Sequence, residues 1–112
     1  MGYREDLFEA IGHILAQDES DFFLILTKIK KIDAKIAVVL SYFIKISLNS
    51  CTQEGWFHRT VEQISNETGL SKSVIENAKK VLLECGILHK KTIYGSKMLR
   101  IDLDVLKDKL SA

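Results

Sequence analysis

The chain has 112 residues and a mass of 12.7 kDa, with 46% apolar and 28% charged residues and a formal net charge of +1. This is one domain of ordinary globular composition, which excludes disordered, collagen-like, mucin-like and coiled-coil rod architectures. The near-neutral total hides a division. Residues 1–33 carry four basic and seven acidic side chains, whereas residues 55–101 carry eight basic and four acidic, a pattern that points to one side facing nucleic acid and another facing away.

Tyr3, Leu7, Phe8, Ile11, Ile14 and Leu15 recur at three- and four-residue spacing, which predicts an amphipathic helix over 1–17. The polar stretch 17–21 ends it. Residues 22–27 form a short apolar run that fits either a strand or the start of a helix, because periodicity does not arbitrate at that length. Asp33 is the expected N-cap of a helix over 34–48. Apolar side chains lie on nearly every side of that helix, so it is expected at the buried centre of the domain. A loop over 49–55 leads into a brief extended stretch, Gly55-Trp56-Phe57-His58, with Trp56 and Phe57 expected in the core.

Thr60 is placed to cap a short helix over 61–68, with Gln63 in the capping-box position, and Gly69 stops it. Ser71 caps a helix over 72–85, and Gly86 stops that one. Beyond Gly86 the period becomes alternating. Residues 87–93 and 97–103 then read as two strands joined at Tyr94-Gly95-Ser96. Asp102 or Asp104 caps a last helix over 104–110. The expected fold is a single domain over 1–112, mainly α with a small β-hairpin (α+β), and no linker or repeat interrupts it.

The helix pair across Thr68-Gly69-Leu70-Ser71 is the strongest signal. Gly69 permits the left-handed backbone that a tight helix–helix corner needs, and Ser65 is small where the second helix approaches. In the second helix Val74, Ile75, Ala78, Val81, Leu82 and Cys85 share one face. Lys72, Ser73, Glu76, Asn77, Lys79 and Lys80 fall off it, giving a polar, mostly basic front. Leu83 also lies off the core face and fits either a contact with helix 1–17 or a dimer contact.

The stretch from Gly55 to Lys91, followed by 93–103, resembles winged helix-turn-helix domains. It is most similar to those of phage and plasmid replication-initiation proteins and of small prokaryotic regulators. The likeness rests on Gly55-Trp56-Phe57, Arg59-Thr60, Thr68-Gly69-Leu70-Ser71 and Gly86-Ile87-Leu88, and it extends over roughly 22–103. Helix 1–17 lies outside it as an extra N-terminal element. The short wing tip and the acidic Glu76 depart from the pattern.

The resemblance implies a helix-turn-helix over 60–85, a wing over 87–103 and binding of double-stranded DNA. Helix 72–85 would enter the major groove, with Lys72, Ser73, Glu76 and Asn77 reading base edges. Arg59, Thr60, Ser71, Lys79, Lys80, Lys90, Lys91, Lys97 and Arg100 would hold phosphates. Five such contacts would give a salt slope of about −4 to −5. The reading is a small transcriptional regulator of a virus, plasmid or prokaryote. Its alternatives are a replication initiator, or a winged-helix protein–protein module that never touches DNA.

Residues 1–21 carry six acidic side chains and one arginine, so DNA would repel them. Helix 1–17 is therefore expected to face away. Leu7, Phe8, Ile11, Ile14 and Leu15 either make a homodimer contact or cap the domain's own core.

Other chemistry finds little support. Cys51, His58, Cys85 and His89 lack zinc-ligand spacing, and two cysteines make no disulfide framework. Cys85 reads as a small buried hydrophobe, and neither His13 nor His89 has an evident carboxylate or nucleophile partner. No phosphate loop, nucleophile elbow or metalloprotease motif occurs, so the expectation is no enzyme, no metal, no cofactor and no small-molecule ligand. The longest apolar run, 36–40, is far below the roughly 18 residues of a membrane span. With no secretory or myristoylation signal at its start, the chain is expected to be intracellular, either nucleoid-associated in the cytoplasm or in an infected host cell.

Overall fold

The computed structural model describes residues 2, 3, 5–10, 26–50, 52 and 54–111. Asp33 starts the central helix as expected: its Oδ1 accepts the Ile36 amide at 2.9 Å and its carbonyl accepts the Ala37 amide. The helix, α1 (Ala34–Ser50), runs two residues past the expected end. Asn49 Nδ2 donates back to the Lys45 carbonyl, and neither glycine nor proline interrupts the last turn. Ile36, Ala37, Val39, Leu40, Phe43, Ile44 and Ile46 are buried, so α1 forms the middle of the core.

α2 (Val61–Thr68) opens with a full capping box. Thr60 Oγ1 accepts the Gln63 amide, and Gln63 Oε1 accepts the Thr60 amide. Gly69 ends it at φ +78°, its N–H donating to the Ser65 carbonyl. Ser65 Oγ donates to the Leu70 carbonyl at 2.7 Å, fastening the corner from inside. α3 (Lys72–Glu84) follows at once, capped by Ser71 through the Val74 amide. Ile75, Ala78 and Leu82 form its buried stripe, packed chiefly against α1. Burying the Ile75 and Leu82 side chains, with Ala78 between them allowing close approach, is what holds a helix of this length in place, since propensity alone would not.

β1 (Leu88–Ile93) and β2 (Ser96–Ile101) pair antiparallel from Leu88↔Ile101 to Ile93↔Ser96. Tyr94 and Gly95 alone make the turn, at φ +49° and +81°, the two-residue geometry whose twist matches the strands. Ser96, expected in the turn, is therefore inside the ladder. The second strand stops at Ile101 rather than 103. There the Asp102 amide donates to the Ile87 carbonyl and Asp102 Oδ1 accepts the Val105 amide, so Asp102 caps α4 (Leu103–Ser111).

Phe57 exchanges both backbone hydrogen bonds with Leu99, at 2.8 Å each, adding a short extended piece to β2. Its ring lies 5.4 Å from that of Phe43. Trp56, also expected in the core, is only partly buried: successive side chains of extended backbone point to opposite faces. It sits on the outer face, with Lys91 Nζ 5.8 Å over its ring.

Tyr3 and residues 5–10 are helical, and Leu7 is fully buried in this chain's own core. The core-capping alternative thus accounts for Leu7, which has no surface to offer a second copy. Phe8 is 58% exposed, and Ile11, Ile14 and Leu15 lie outside the described residues. Of the run 22–27, Leu26 and Thr27 are described and are helical. Tyr3 ties this N-terminal element to the hairpin, its hydroxyl donating to the Ile101 carbonyl at 2.8 Å. Gly55, at φ +97°, lies flat against the Tyr3 ring, where an added Cβ would stand 2.6 Å from ring carbons. Among the described residues no helix is long and apolar enough to cross a membrane.

Candidate nucleic-acid interface

Packing the Ile75–Ala78–Leu82 stripe inward leaves the other side of α3 in solvent. Lys72, Ser73, Glu76 and Asn77 are exposed there on the first half of the helix, and Lys80 is exposed one turn further on. Lys79 is half-buried at the edge of the same face.

Alternation sorts the hairpin into two faces. Leu88, Lys90 and Thr92 share one with their cross-strand partners Ile101, Leu99 and Lys97. Leu88, Leu99 and Ile101 are buried against the helices, while Lys90 and Lys97 continue the same face outward into solvent. They emerge beside Lys79. A groove of about 350 Å³ between α3 and β1 is lined by Glu76, Lys79, Lys80, Leu83, Glu84 and Lys90. Leu83, which the sequence left between two contacts, packs against the core from this groove.

The electrostatics of this corner are unfavourable in isolation. Burial holds the Lys79 ammonium below its ordinary pKa, and the charges of Lys97 and Lys90 lower it further, against the pull of Glu76. Three like charges brought together by the fold repel one another, and an anion beside them offsets that repulsion.

The remaining expected phosphate contacts are placed differently. Arg100 belongs to the opposite hairpin face, with His89, Lys91 and Met98. Its Nε donates to the Glu54 carbonyl at 2.7 Å and its guanidinium lies 4.9 Å over the Tyr3 ring. It lines a hollow of about 580 Å³ shared with Asp6, Glu9, Glu54, Asp102 and Asp104. Acidic surroundings and an engaged donor make this a poor phosphate site. Lys91 is on that same face, over Trp56.

Arg59 is partly buried, donating to the His58 carbonyl and interacting with Tyr42, whose hydroxyl also bonds Glu67. Burial raises the Tyr42 pKa, and Glu67 adds to the rise while Arg59 opposes it. The hydroxyls of Thr60 and Ser71 act as helix caps, at the exposed N-termini of α2 and α3.

One partnership escaped the sequence. His89 does have a carboxylate partner: its Nε2 lies 2.9 Å from Asp102 Oδ2, thirteen residues further on, brought there by the hairpin register. Burial pushes the Asp102 carboxyl up, but the Val105 and Asp104 amides and the His89 ring outweigh it, and the pKa falls below its ordinary value. His58 Nδ1 is 2.9 Å from the Lys97 carbonyl. Cys85 is a free, partly buried thiol, Cys51 and His13 lie outside the described residues, and among those described no three His, Cys, Asp or Glu side chains are grouped to hold a metal.

No family model, curated protein or solved structure matches this chain.

Proposed function

We propose that this chain binds double-stranded DNA as a winged helix-turn-helix protein, with α3 in the major groove and the hairpin as a basic wing. The observation that carries the reading is the convergence of Lys79 with Lys90 and Lys97 along the exposed side of α3. Lys72 and Lys79 are separated by about 10 Å of helix at 1.5 Å per residue. That span fits within the roughly 12 Å width of the major groove, so one end can meet bases while the other meets a phosphate strand.

In this arrangement Lys72, Ser73, Glu76 and Asn77 face the bases. Lysine suits guanine, asparagine suits adenine, and glutamate accepts from the cytosine amino group. Lys79, Lys80, Lys90 and Lys97 grip phosphates, with Ser71 at the exposed N-terminus of α3 adding a hydroxyl donor. Arg100 and Lys91 face away and carry no part of the contact. With about four phosphates neutralised, the salt slope becomes about −3 to −4. The acidic hollow of Asp6, Glu9, Glu54, Asp102 and Asp104 supports the same orientation, because it marks the side DNA would avoid.

Amide chemical-shift mapping during titration with a mixed-sequence duplex tests the reading. Perturbations should concentrate on 71–80 and on Lys90 and Lys97. A duplex that binds and perturbs the Arg100 face instead, or that perturbs nothing, would overturn it.

A further inference from the structure

Tyr94 is the most exposed large hydrophobic side chain among the described residues, with a relative exposure of 102%. It also occupies the first central position of the hairpin turn at φ +49°. That position favours asparagine, aspartate or glycine, and a bulky side chain there is disfavoured by its own backbone. The turn would close better with asparagine, and the core gains nothing from the ring. Local preference and the hydrophobic effect thus both disfavour the residue that is present.

Its surroundings give the ring a use. Tyr94 stands at the tip of the hairpin, beyond the Ile93–Ser96 pair, on the same two strands that carry Lys90 and Lys97. From the Lys90–Leu99 pair to the Ile93–Ser96 pair is three ladder steps, about 10 Å at 3.3 Å per residue, with the turn beyond. A ring at that distance from a gripped phosphate strand reaches past it to the bases of the adjoining groove. Aromatic side chains bind bases through their faces, which an intact duplex keeps covered by neighbouring bases.

We infer that Tyr94 stacks on the face of a nucleobase at the wing tip, an inference that rests on the DNA-binding reading above. The base comes either from a step that the protein opens within a duplex or from one that is already unpaired. Both sources present the same π-face, and pyrimidine–purine steps are the ones that open most easily.

The test compares wild type, Tyr94→Phe and Tyr94→Asn by fluorescence anisotropy on two probes, a fully paired duplex and the same duplex carrying one bulged base. Asparagine suits the positive φ, so that variant keeps the turn, and circular dichroism with thermal melting checks that it folds. Tyr94→Phe should bind as wild type, and Tyr94→Asn should lose about ten-fold, the lower half of the range for one stacked base. Loss on the bulged probe alone assigns the stacking to an unpaired base. Loss on both, with 2-aminopurine fluorescence in the paired probe rising for wild type only, assigns it to an opened step. Binding by wild type that Tyr94→Asn leaves unchanged on both probes refutes the stacking and spares the DNA reading. Failure of wild type to bind either probe refutes the DNA reading, and the stacking with it.

Discussion

Gly55→Ala probes how the N-terminal element holds the hairpin. An alanine Cβ would stand 2.6 Å from two Tyr3 ring carbons and 2.7 Å from a third, at a backbone φ of +97°. The ring cannot retreat freely, because its hydroxyl is bonded to the Ile101 carbonyl at 2.8 Å. The left-handed backbone costs an alanine about 1–2 kcal/mol, and forcing a methyl into a filled site costs about 1–3 kcal/mol more. A total of about 2–5 kcal/mol should lower the melting midpoint by roughly 8–20 °C in a chain of this size. Differential scanning calorimetry of Gly55→Ala, Tyr3→Ala and the double variant separates the two contributions. In the Tyr3→Ala background only the backbone cost should remain, leaving a coupling of about 1–3 kcal/mol. A midpoint shift under about 3 °C for Gly55→Ala, or strict additivity of the two substitutions, would refute the contact as the reason for glycine here.

Three further outcomes follow from particular side chains. Ser47 Oγ is buried in α1 with no hydrogen-bond partner among the described residues, so Ser47→Ala should raise stability by about 1 kcal/mol in urea titration; a loss of stability would contradict that. The folded Asp102 carboxyl titrates below its ordinary 3.8. Its contribution is therefore complete above that value and lost as pH falls through the lower folded one, so Asp102→Asn should flatten the acid limb of the stability–pH curve below about pH 4. An unchanged acid limb would mean that the carboxylate's partners contribute nothing. Arg100→Gln should leave DNA affinity within about two-fold, whereas Lys90→Gln should weaken it several-fold and flatten the salt slope by about 0.9. Equal losses would put the two hairpin faces on the DNA together.

Much of the framework was legible because short-range chemistry decides it. Asp33, Thr60, Ser71 and Gly69 cap or end helices through atoms within four residues, and sequence alone displays that. The apolar run of α1 likewise announced a buried helix. What escaped depends on contacts between distant segments. Ser96 entered the ladder and Leu103 left it because the Tyr94–Gly95 turn and the Asp102 cap, together with the Asp102–Ile87 backbone bond, set the register. That same register removed Arg100 from the basic face and gave His89 a carboxylate. The exposed front of α3 was readable from helical periodicity, whereas the meeting of Lys79 with Lys90 and Lys97 required knowing which face of the hairpin turns towards the helix.

In the proposed complex the lysines gathered at the junction of α3 and the hairpin neutralise DNA phosphates. Fluorescence anisotropy on one mixed-sequence duplex, titrated from 50 to 200 mM salt, measures that directly. Wild type should bind with a slope of about −3 to −4, losing roughly a hundred-fold across the range. Lys79→Gln/Lys90→Gln/Lys97→Gln should flatten the slope by nearly three, to about −1. No binding at 50 mM salt, or a slope that the triple variant leaves unchanged, would contradict the account.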